Sequence, residues 1–316
     1  MAPFPRRSPT RSPALLLAAV VLGAGPALAP PLMAQSEGRE PGVVELPVGA
    51  RAAGLGDAFQ LGSDDSDAIF HHPGLMGTLT GMMVGYQHLG EVGRLLTLSA
   101  ATDWYGGGVA VGLQALSWES PGAGERPAGL DPFLNEGPVG ASELVATVGY
   151  GRAVGPLRLG VAGKLLSQRF GSDSETRGSV DLGASTPLGP GRVALSVRNL
   201  GADDVVAGTE VSQPVTATLA FGGYGARLWP LDVGAAGAIT RRGDGEWIGG
   251  GGLELGYWPV VGRTFVARVG ARTVPEGEAS PLTLGGSFWG DDLVVEYAWQ
   301  PVDGMEGVHR VSLGWR

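Results

Sequence analysis

The sequence predicts an all-β protein, a transmembrane antiparallel β-barrel of about 14 strands with an N-terminal plug segment inside the barrel. Three observations predict this fold. From about residue 81 onward, apolar side chains alternate with small or polar ones, and a period of two is the signature of a β-strand. The alternating segments are long, and long connections alternate with tight turns, as in outer-membrane barrels.

The first 34 residues predict a secretory signal peptide. Arg6, Arg7 and Arg11 precede an apolar run over residues 14–24, and small residues lead to Ala34, where we expect cleavage. A membrane anchor is the alternative, but the apolar run is too short to span a bilayer comfortably. An exported β-barrel is expected in the cell outer membrane.

Residues 35–80 lack sustained alternation and are expected to form a plug or hatch, whereas residues 81–316 form the barrel. Within the barrel region, fourteen segments alternate with period two. They cover residues 81–89, 94–104, 108–118, 142–154, 157–170, 177–187, 192–200, 214–224, 230–241, 246–258, 263–272, 281–289, 292–299 and 307–315. Many have about nine to thirteen residues, which is enough for a tilted strand to cross the hydrocarbon layer.

The two faces of the predicted strands differ in chemistry. One face is mainly aliphatic, and the other carries small residues such as Gly160 and Ala162 together with charges. The charged members are Arg158, Lys164, Asp181, Arg198, Glu254, Arg268 and Glu296. A soluble β-sandwich is the alternative, but it cannot bury these charges in its core without a large desolvation cost. A barrel in lipid turns them toward its lumen, where the small residues leave room for a plug.

The aromatic residues and the connections agree with this barrel. All eight tryptophans lie at or near segment ends, where the aromatic girdles of a membrane barrel are expected. The long connections include 119–141, 201–213 and 273–280, and the tight turns that alternate with them include 105–107 and 155–156. We therefore expect the long loops on the outer side of the membrane.

Composition and motifs disfavour several function classes. The absence of cysteine excludes disulfides, zinc knuckles and thiol nucleophiles, and a net charge of −9 argues against a nucleic-acid partner. No Gly-x-Ser-x-Gly elbow or Ser/His/Asp constellation is recognisable, so we expect no enzyme, no catalytic residue and no cofactor.

Two adjacent histidines, His71 and His72, follow an acidic stretch over residues 64–67. This group could be drawn as a metal site. However, adjacent residues on an extended chain point apart, and no pair of histidines has helical i, i+4 spacing. We expect no metal and favour the acidic N-terminus of a short helix, with Ser63 as its N-cap.

Two stretches before the barrel carry a family resemblance. Residues 48–59 read VGARAAGLGDAF and residues 64–75 read DDSDAIFHHPGL. They resemble the N-terminal signature of the PorV/PorQ proteins, outer-membrane barrels related to the FadL long-chain fatty-acid transporters. The plug-motif residues are Arg51, Gly54, Gly56, Asp64, Asp65, His72 and Pro73. His72 stands where the family usually has asparagine, and no alanine separates Pro73 from Gly74.

The resemblance implies a fourteen-stranded barrel with an internal plug, and it leaves two functions open. The first is passage or binding of hydrophobic small molecules in an apolar pocket on the plug. Its lining residues would be Phe59, Ile69, Phe70 and Leu75. Alternatively, these four residues only pack the plug against the wall. The second function is that of a secretion component that handles or anchors secreted proteins, with its activity on the outer loops and above all on 119–141. Porin-like diffusion of small solutes is a third, weaker interpretation.

The expected partners follow from this location. They are outer-membrane lipid and the barrel-assembly machinery, with either a hydrophobic ligand or a secreted protein cargo. The last strand carries the predicted membrane-assembly signal, because Val311, Leu313 and Trp315 share one face and end in an aromatic residue. Arg316 follows this aromatic residue.

Overall fold

The computed structural model describes most of the chain after the predicted signal peptide. The described residues are 42–58, 61, 65–78, 80–90, 93–119, 140–170, 173–201, 205–206, 209–210, 214–228, 230–243, 245–260, 262–274, 280–302 and 305–315. The predicted signal peptide, Phe59, Ser63, Asp64 and most of the 119–141 loop lie outside these residues.

Fourteen described strands form a closed antiparallel barrel, which confirms the predicted fold. The barrel strands are β1 (Gly81–His88), β2 (Gly93–Trp104), β3 (Gly107–Glu119), β4 (Gly140–Val154), β5 (Leu157–Phe170), β6 (Asp173–Leu188), β7 (Gly191–Leu200), β10 (Thr216–Leu228), β11 (Leu231–Arg242), β12 (Trp247–Val260), β13 (Arg263–Arg272), β14 (Leu282–Trp289), β15 (Leu293–Val302) and β16 (Met305–Trp315). Between β7 and β10, β8 (Val205–Val206) and β9 (Thr209–Glu210) form a separate hairpin. Strand β1 pairs with both β2 and β16, which closes the sheet.

The alternation separates an apolar outer face from a polar inner face. Leu159, Val161 and Leu165 of β5 are exposed on the outside. Lys164 of the same strand and Asp181 of β6 are buried on the inside. The predicted assignment of aliphatic side chains to one face and charges to the other is therefore confirmed in these strands.

Short and long connections lie at opposite ends of the barrel. The β2–β3, β4–β5 and β6–β7 turns each have two residues. Gly106, Gly155 and Gly189 adopt φ of 71°, 60° and 57° in these turns, a region that glycine enters without steric cost. The opposite end carries the long β3–β4 and β7–β10 connections. We call this opposite end the outer end.

Three short helical elements precede β1 and pack inside the barrel. They are α1 (Ala50–Gly54), α2 (Ala68–His71) and a 3-10 helix (Pro73–Thr78). Helix α1 contacts β13–β16, and the 3-10 helix contacts β2–β6. None of the helices in the described part of the chain is long and apolar enough to cross a membrane.

Small inward residues make this packing possible. A Cβ atom at Gly160 of β5 would overlap the carbonyl of Pro73, and one at Gly250 of β12 would overlap the carbonyl of Gly56. The backbone of the plug thus lies directly against the backbone of the wall. Any larger residue at these positions would push the two apart.

The aromatic prediction is confirmed at several strand ends and wrong at Trp289. Trp104, Trp247 and Trp315 are exposed at strand ends. Trp289 instead faces the lumen, where the guanidinium of Arg51 lies 5.2 Å from its ring centroid and that of Arg268 lies 6.0 Å away. The cause is strand parity, since residue 289 shares its face with Ser287, which binds Arg268.

The residues of the predicted assembly signal lie on the outer face of the last strand. Val311, Leu313 and Trp315 of β16 are all exposed there. Leu313 lies opposite Val84 of β1 and Val295 of β15. These residues therefore form part of the seam that closes the barrel. Their role in membrane assembly remains a prediction.

Candidate functional site

A buried charge network fixes the first half of the plug to the wall. Arg51 of α1 binds Asp65 of the plug at 3.3 Å and Glu254 of β12 at 2.7 Å. Arg268 of β13 binds Glu254 at 2.9 Å and Glu296 of β15 at 3.1 Å. Each of these side chains is 4 % exposed or less. Glu254 thus bridges a plug arginine and a wall arginine.

The plug-motif residues around this network also meet the wall. Gly54 lies against Gly285 of β14. Gly56, at φ 64°, lies against the backbone of Ala271 of β13. Arg51, Gly54, Gly56 and Asp65 therefore share one region of the lumen. Asp64 lies outside the described residues.

Two neutral histidines fix the second half of the plug, His71 to the chain before the plug helices and His72 to the barrel wall. His71 Nε2 donates to the carbonyl of Val48 at 3.0 Å, and His72 Nε2 donates to the carbonyl of Leu195 in β7 at 2.9 Å. Burial is the main cause that lowers the pKa of His71 to about 3 and that of His72 to about 4. Among the residues that the structure describes, no three His, Asp or Glu side chains are grouped to hold a metal ion. These histidines act as hydrogen-bond donors to backbone.

The helix that follows the acidic stretch begins later in the chain than the predicted N-cap at Ser63 implies. Helix α2 begins at Ala68, and Asp67 occupies the N-cap position without a capping hydrogen bond. The carboxylate of Asp67 instead accepts a hydrogen bond from Ser99 Oγ of β2 at 2.6 Å. Asp67 therefore joins the plug to the wall, whereas Asp65 joins two parts of the plug through its ion pair with Arg51.

Asp67 makes the stability of the plug dependent on pH. Burial, aided by Asp65 and Glu296, raises the pKa of Asp67 to about 7, while the hydrogen bond from Ser99 opposes the shift. The unfolded chain has a value of about 4, so between about pH 4 and 7 the folded state holds a proton that the unfolded state has lost. This contribution to stability is complete at low pH and is lost as the pH rises through that window.

We therefore expect Asp67→Asn to remove one pH-dependent loss of plug stability. From pH 5 to pH 8, the urea midpoint for exposure of the plug should change in a less favourable direction in the unsubstituted chain than in the variant, because only the unsubstituted chain loses the contribution of Asp67. The difference should correspond to a few kcal/mol. His71 and His72 titrate in both proteins, so the comparison isolates Asp67. Parallel pH profiles would contradict the assignment.

The apolar residues predicted to line a pocket on the plug pack against the wall in this state. Ile69, Phe70 and Leu75 are 0 %, 3 % and 4 % exposed. They share a cluster with Ala110, Ala162, Ala194 and Ala220, each from a different barrel strand. Side chains with so little accessible surface do not border an open cavity. A ligand-binding role for them stays a prediction, and Phe59 lies outside the described residues.

A second apolar cluster, which the sequence analysis missed, lies near the outer end of the lumen. It consists of Leu95, Leu116, Val145 and Leu166, and we call it the outer apolar patch. Leu95 lies directly opposite Leu116, and Val145 lies directly opposite Leu166, in the barrel ladder. All four are buried at inward positions. Aliphatic residues on the polar parity of β2–β5 were the signal that could have revealed it.

The start of the described chain covers this patch. We call residues 42–48 the strap. Val43 is fully buried among the residues of the outer apolar patch. Its backbone amide donates to Glu143 Oε2 at 2.5 Å, and its carbonyl accepts from Gln114 Nε2 at 3.4 Å. The strap thus places an apolar side chain where a small apolar ligand would fit.

Two further contacts carry the strap across the lumen. Glu45 forms an ion pair with Arg242 of β11, whose side chain is 23 % exposed. Gln87 of β1 donates to the carbonyl of Pro47 at 2.7 Å. The strap is therefore held at three separate parts of the wall. Val44 and Leu46 of the strap also pack against the outer apolar patch, and Val48 is buried in the apolar cluster that contains Phe70.

The wall is interrupted beside the outer apolar patch. In β7, Arg198 and Asn199 lie opposite the single residue Asp181 of β6, and Asn199 has φ 61°. This is a β-bulge. Within the described residues, β6 has no ladder partner on the β7 side from Asp173 to Ser179.

A pocket of about 440 Å³ lies at this interruption. Its lining residues are Gly163, Lys164, Leu165, Gly178, Ser179, Val180, Leu200 and Gly201. Leu165 and Val180 belong to the outward, apolar face, so the pocket opens on the outside of the barrel. We call it the wall pocket.

A polar latch closes the wall pocket on the lumen side. Lys164 Nζ lies 2.6 Å from Asp181 Oδ2 and 3.2 Å from Asn199 Oδ1. Asp181 also accepts from the backbone amide of Asn199 at 2.9 Å. Leu166 of the outer apolar patch lies two residues from Lys164 on the same face of β5. The patch and the wall pocket therefore adjoin, with this latch between them.

Solved structures share this architecture, although no family model and no curated protein matches the chain in sequence. The TodX deltaS2S3 mutant, a monoaromatic hydrocarbon channel, aligns with TM-score 0.56 and 10 % identity over 84 % of this chain and 97 % of its own. The toluene transporter TbuX from Ralstonia pickettii aligns with TM-score 0.55 and 12 % identity over 85 % and 98 %. The fold is that of the FadL-type outer-membrane barrels.

A third structure extends this likeness. The CymD monoaromatic hydrocarbon channel aligns with TM-score 0.53 and 11 % identity over 84 % of this chain and 97 % of its own. The chain thus spans nearly the whole length of three barrels with the FadL-type fold. Because the identities are 10–12 %, the likeness is one of fold.

Proposed function

We propose that the mature chain is an outer-membrane channel of the PorV/FadL type for small hydrophobic molecules. The observation that carries this proposal is the position of the outer apolar patch, which is covered by Val43 and adjoins the lipid-facing wall pocket. A hydrophobic molecule would enter from the outer end, replace Val43 on the patch and leave sideways through the wall.

The first step exchanges one apolar group for another on the patch. Removing Val43 from the patch costs about 1.5–3 kcal/mol of hydrophobic stabilisation. A small aromatic molecule buries a comparable apolar area on the same four side chains. The strap can move aside at its partly accessible contact between Glu45 and Arg242.

The second step is lateral because the lumen beyond the patch is charged. Below the patch, the network of Arg51, Glu254 and Arg268 fills the lumen with buried charges. Contact between these charges and an apolar molecule is unfavourable, because the molecule cannot solvate them. The wall pocket offers apolar side chains instead, and its volume of about 440 Å³ lies within the usual range of small-molecule pockets. Opening requires Lys164 and Asn199 to separate. Hydrocarbon passage also accords with the names of the channels that share this fold.

Uptake of radiolabelled toluene by a Gram-negative host without its own hydrocarbon channel tests the proposal. We expect expression of the chain to raise the initial rate. Val145→Thr places a hydroxyl on the patch at almost constant volume and should lower that rate about tenfold, the equivalent of about 1.4 kcal/mol. Val148→Thr, on the lipid face of the same strand, is the matched control and should leave the rate unchanged.

Two outcomes contradict the proposal. One is uptake no faster than in cells with an empty vector, although the membranes contain normal amounts of heat-modifiable barrel. The other is an equal rate for Val145→Thr and Val148→Thr, which would remove the patch from the route. Liposome swelling by sugars should stay at the background level, because the plug fills the lumen.

A further inference from the structure

We infer that the outer rim of this barrel binds the phosphate groups of an anionic outer-leaflet glycolipid. The site is a row of hydrogen-bond donors on the lipid-facing surface, outside the lumen. Its members are His309, His88, Arg94, Ser117, Ser142 and Arg169, and we call it the basic row. The inference needs the proposed outer-membrane location and is independent of what passes through the barrel.

The barrel ladder places these residues side by side on six adjacent strands. His88 of β1 lies opposite His309 of β16 and Arg94 of β2. Arg94 lies opposite Ser117 of β3, Ser117 opposite Ser142 of β4, and Ser142 opposite Arg169 of β5. Neighbouring strands are about 4.8 Å apart, so the row extends about 24 Å across the sheet. A headgroup with two phosphates fits within this span.

The basic row faces outward and lies above apolar side chains. Arg94, Ser117, Ser142 and Arg169 are exposed. Two residues further along their strands and on the same face, Leu96 and Leu144 are 53 % and 48 % exposed. Donors above and aliphatic groups below match a lipid, which carries phosphates at one end and acyl chains at the other. Free phosphate would contact only the donors and not the apolar part of this surface.

The height of the row along the barrel agrees with a headgroup contact. Arg94 and Trp104 are ten residues apart and mark opposite ends of β2. At about 3.3 Å per residue and a tilt of about 40°, this separation is about 25 Å along the membrane normal. A membrane barrel has an apolar band of about that height. With Trp104 at one edge of the band, Arg94 reaches the other edge, where headgroups begin.

The described outward side chains beside the basic row are uncharged or basic. Among the outward side chains described within residues 86–96, 113–117, 142–146 and 165–169, none is a carboxylate. Arginine binds phosphate through two parallel N–H donors, and serine hydroxyls add single donors. His309 also contacts the hydroxyl of Tyr297 at 2.8 Å. On the far side of the barrel, the outward positions toward this end include Ala217, Ala271 and Leu282, together with a single arginine, Arg241, whose guanidinium lies 5.7 Å from the ring centroid of Trp247.

Binding of lipid A to the purified full-length barrel in nanodiscs tests the inference. The substitutions are Arg94→Gln together with Arg169→Gln. The matched control is Arg152→Gln together with Arg263→Gln, which removes two exposed arginines from the opposite end of the barrel. We expect bis-phosphorylated lipid A to bind the first variant at least tenfold more weakly than the unsubstituted chain, and the control variant without change.

The lipid itself supplies the second comparison. Dephosphorylated lipid A should bind the unsubstituted barrel as weakly as bis-phosphorylated lipid A binds the Arg94/Arg169 variant, and equimolar inorganic phosphate should not displace the lipid. Equal affinity of both variants, or equal affinity for both lipids, would overturn the inference. Heat-modifiable migration confirms that each variant is folded. Toluene uptake is not measured, so failure here leaves the proposed channel function standing.

Discussion

Replacing Glu254 by glutamine will release the plug from the barrel wall at a much lower urea concentration. Glu254 places one oxygen 2.7 Å from Arg51 of the plug and the other 2.9 Å from Arg268 of the wall. Glutamine keeps the shape but loses the charge, which leaves two buried guanidinium groups with weaker compensation. Breaking a buried ion pair in this way costs about 3–5 kcal/mol, a large part of the total stability of a typical domain, about 5–15 kcal/mol.

Trypsin cleavage after Arg51 reports this release, because Arg51 is buried while the plug is docked. The urea midpoint for cleavage should fall sharply in Glu254→Gln, whereas the heat-modifiable barrel persists. Glu175→Gln is the matched control, since Glu175 also binds an arginine, Arg177 at 3.0 Å, but its side chain is 25 % exposed. The pair joins two residues of β6 and includes no plug residue, so its loss should leave the cleavage midpoint unchanged. Equal midpoints for the two variants would contradict a plug held by Glu254.

The barrel could be predicted from the sequence because its signal is local. Alternation within ten residues states which side chains share a face, whatever the rest of the chain does. The segment predicted at 157–170 is β5 with the same bounds, and Lys164 within it faces the lumen as its parity requires. Strand length and turn chemistry are equally local. The number of strands and the end of the barrel with tight turns could therefore be predicted as well.

The contacts of the plug could not be predicted because they join distant parts of the chain. Arg51 and Glu254 are 203 positions apart, and parity places Glu254 in the lumen without naming its partner. Val43 precedes the resembling stretches and has no pattern of its own, yet it covers the outer apolar patch. The bulge at Asn199 is similar, since a single inserted residue leaves alternation on both sides intact.

Trp289 shows how a local rule can mislead. Its place at a strand end predicted an aromatic girdle, but parity with Ser287 turns it into the lumen beside Arg51. Parity decides whether a strand residue faces the lumen or the outside. Position along the strand decides only how far the residue lies along the barrel axis. Where the two rules conflict, a buried guanidinium provides a partner for the indole ring.

Deleting residues 311–316 will abolish insertion of the barrel into the outer membrane. In β16, Val311, Leu313 and Trp315 pair on one side with β1 and on the other with β15. Their removal leaves two strand edges unpaired, and each unpaired backbone group exposed to lipid costs several kcal/mol. The deletion also removes the predicted signal for the barrel-assembly machinery. Membrane fractions should then contain no heat-modifiable species of this chain.

Two smaller changes distinguish closure of the barrel from recognition by the barrel-assembly machinery. Removing Arg316 alone leaves every described pair of β16 in place, so insertion should be normal. Trp315→Ala keeps the backbone pairs but removes the terminal aromatic side chain, so slower insertion of a barrel that still closes would assign recognition to Trp315. If the deletion of residues 311–316 still gave heat-modifiable barrel in the membrane, neither the seam nor the signal would be needed. The remaining strands would then have to close through another pairing.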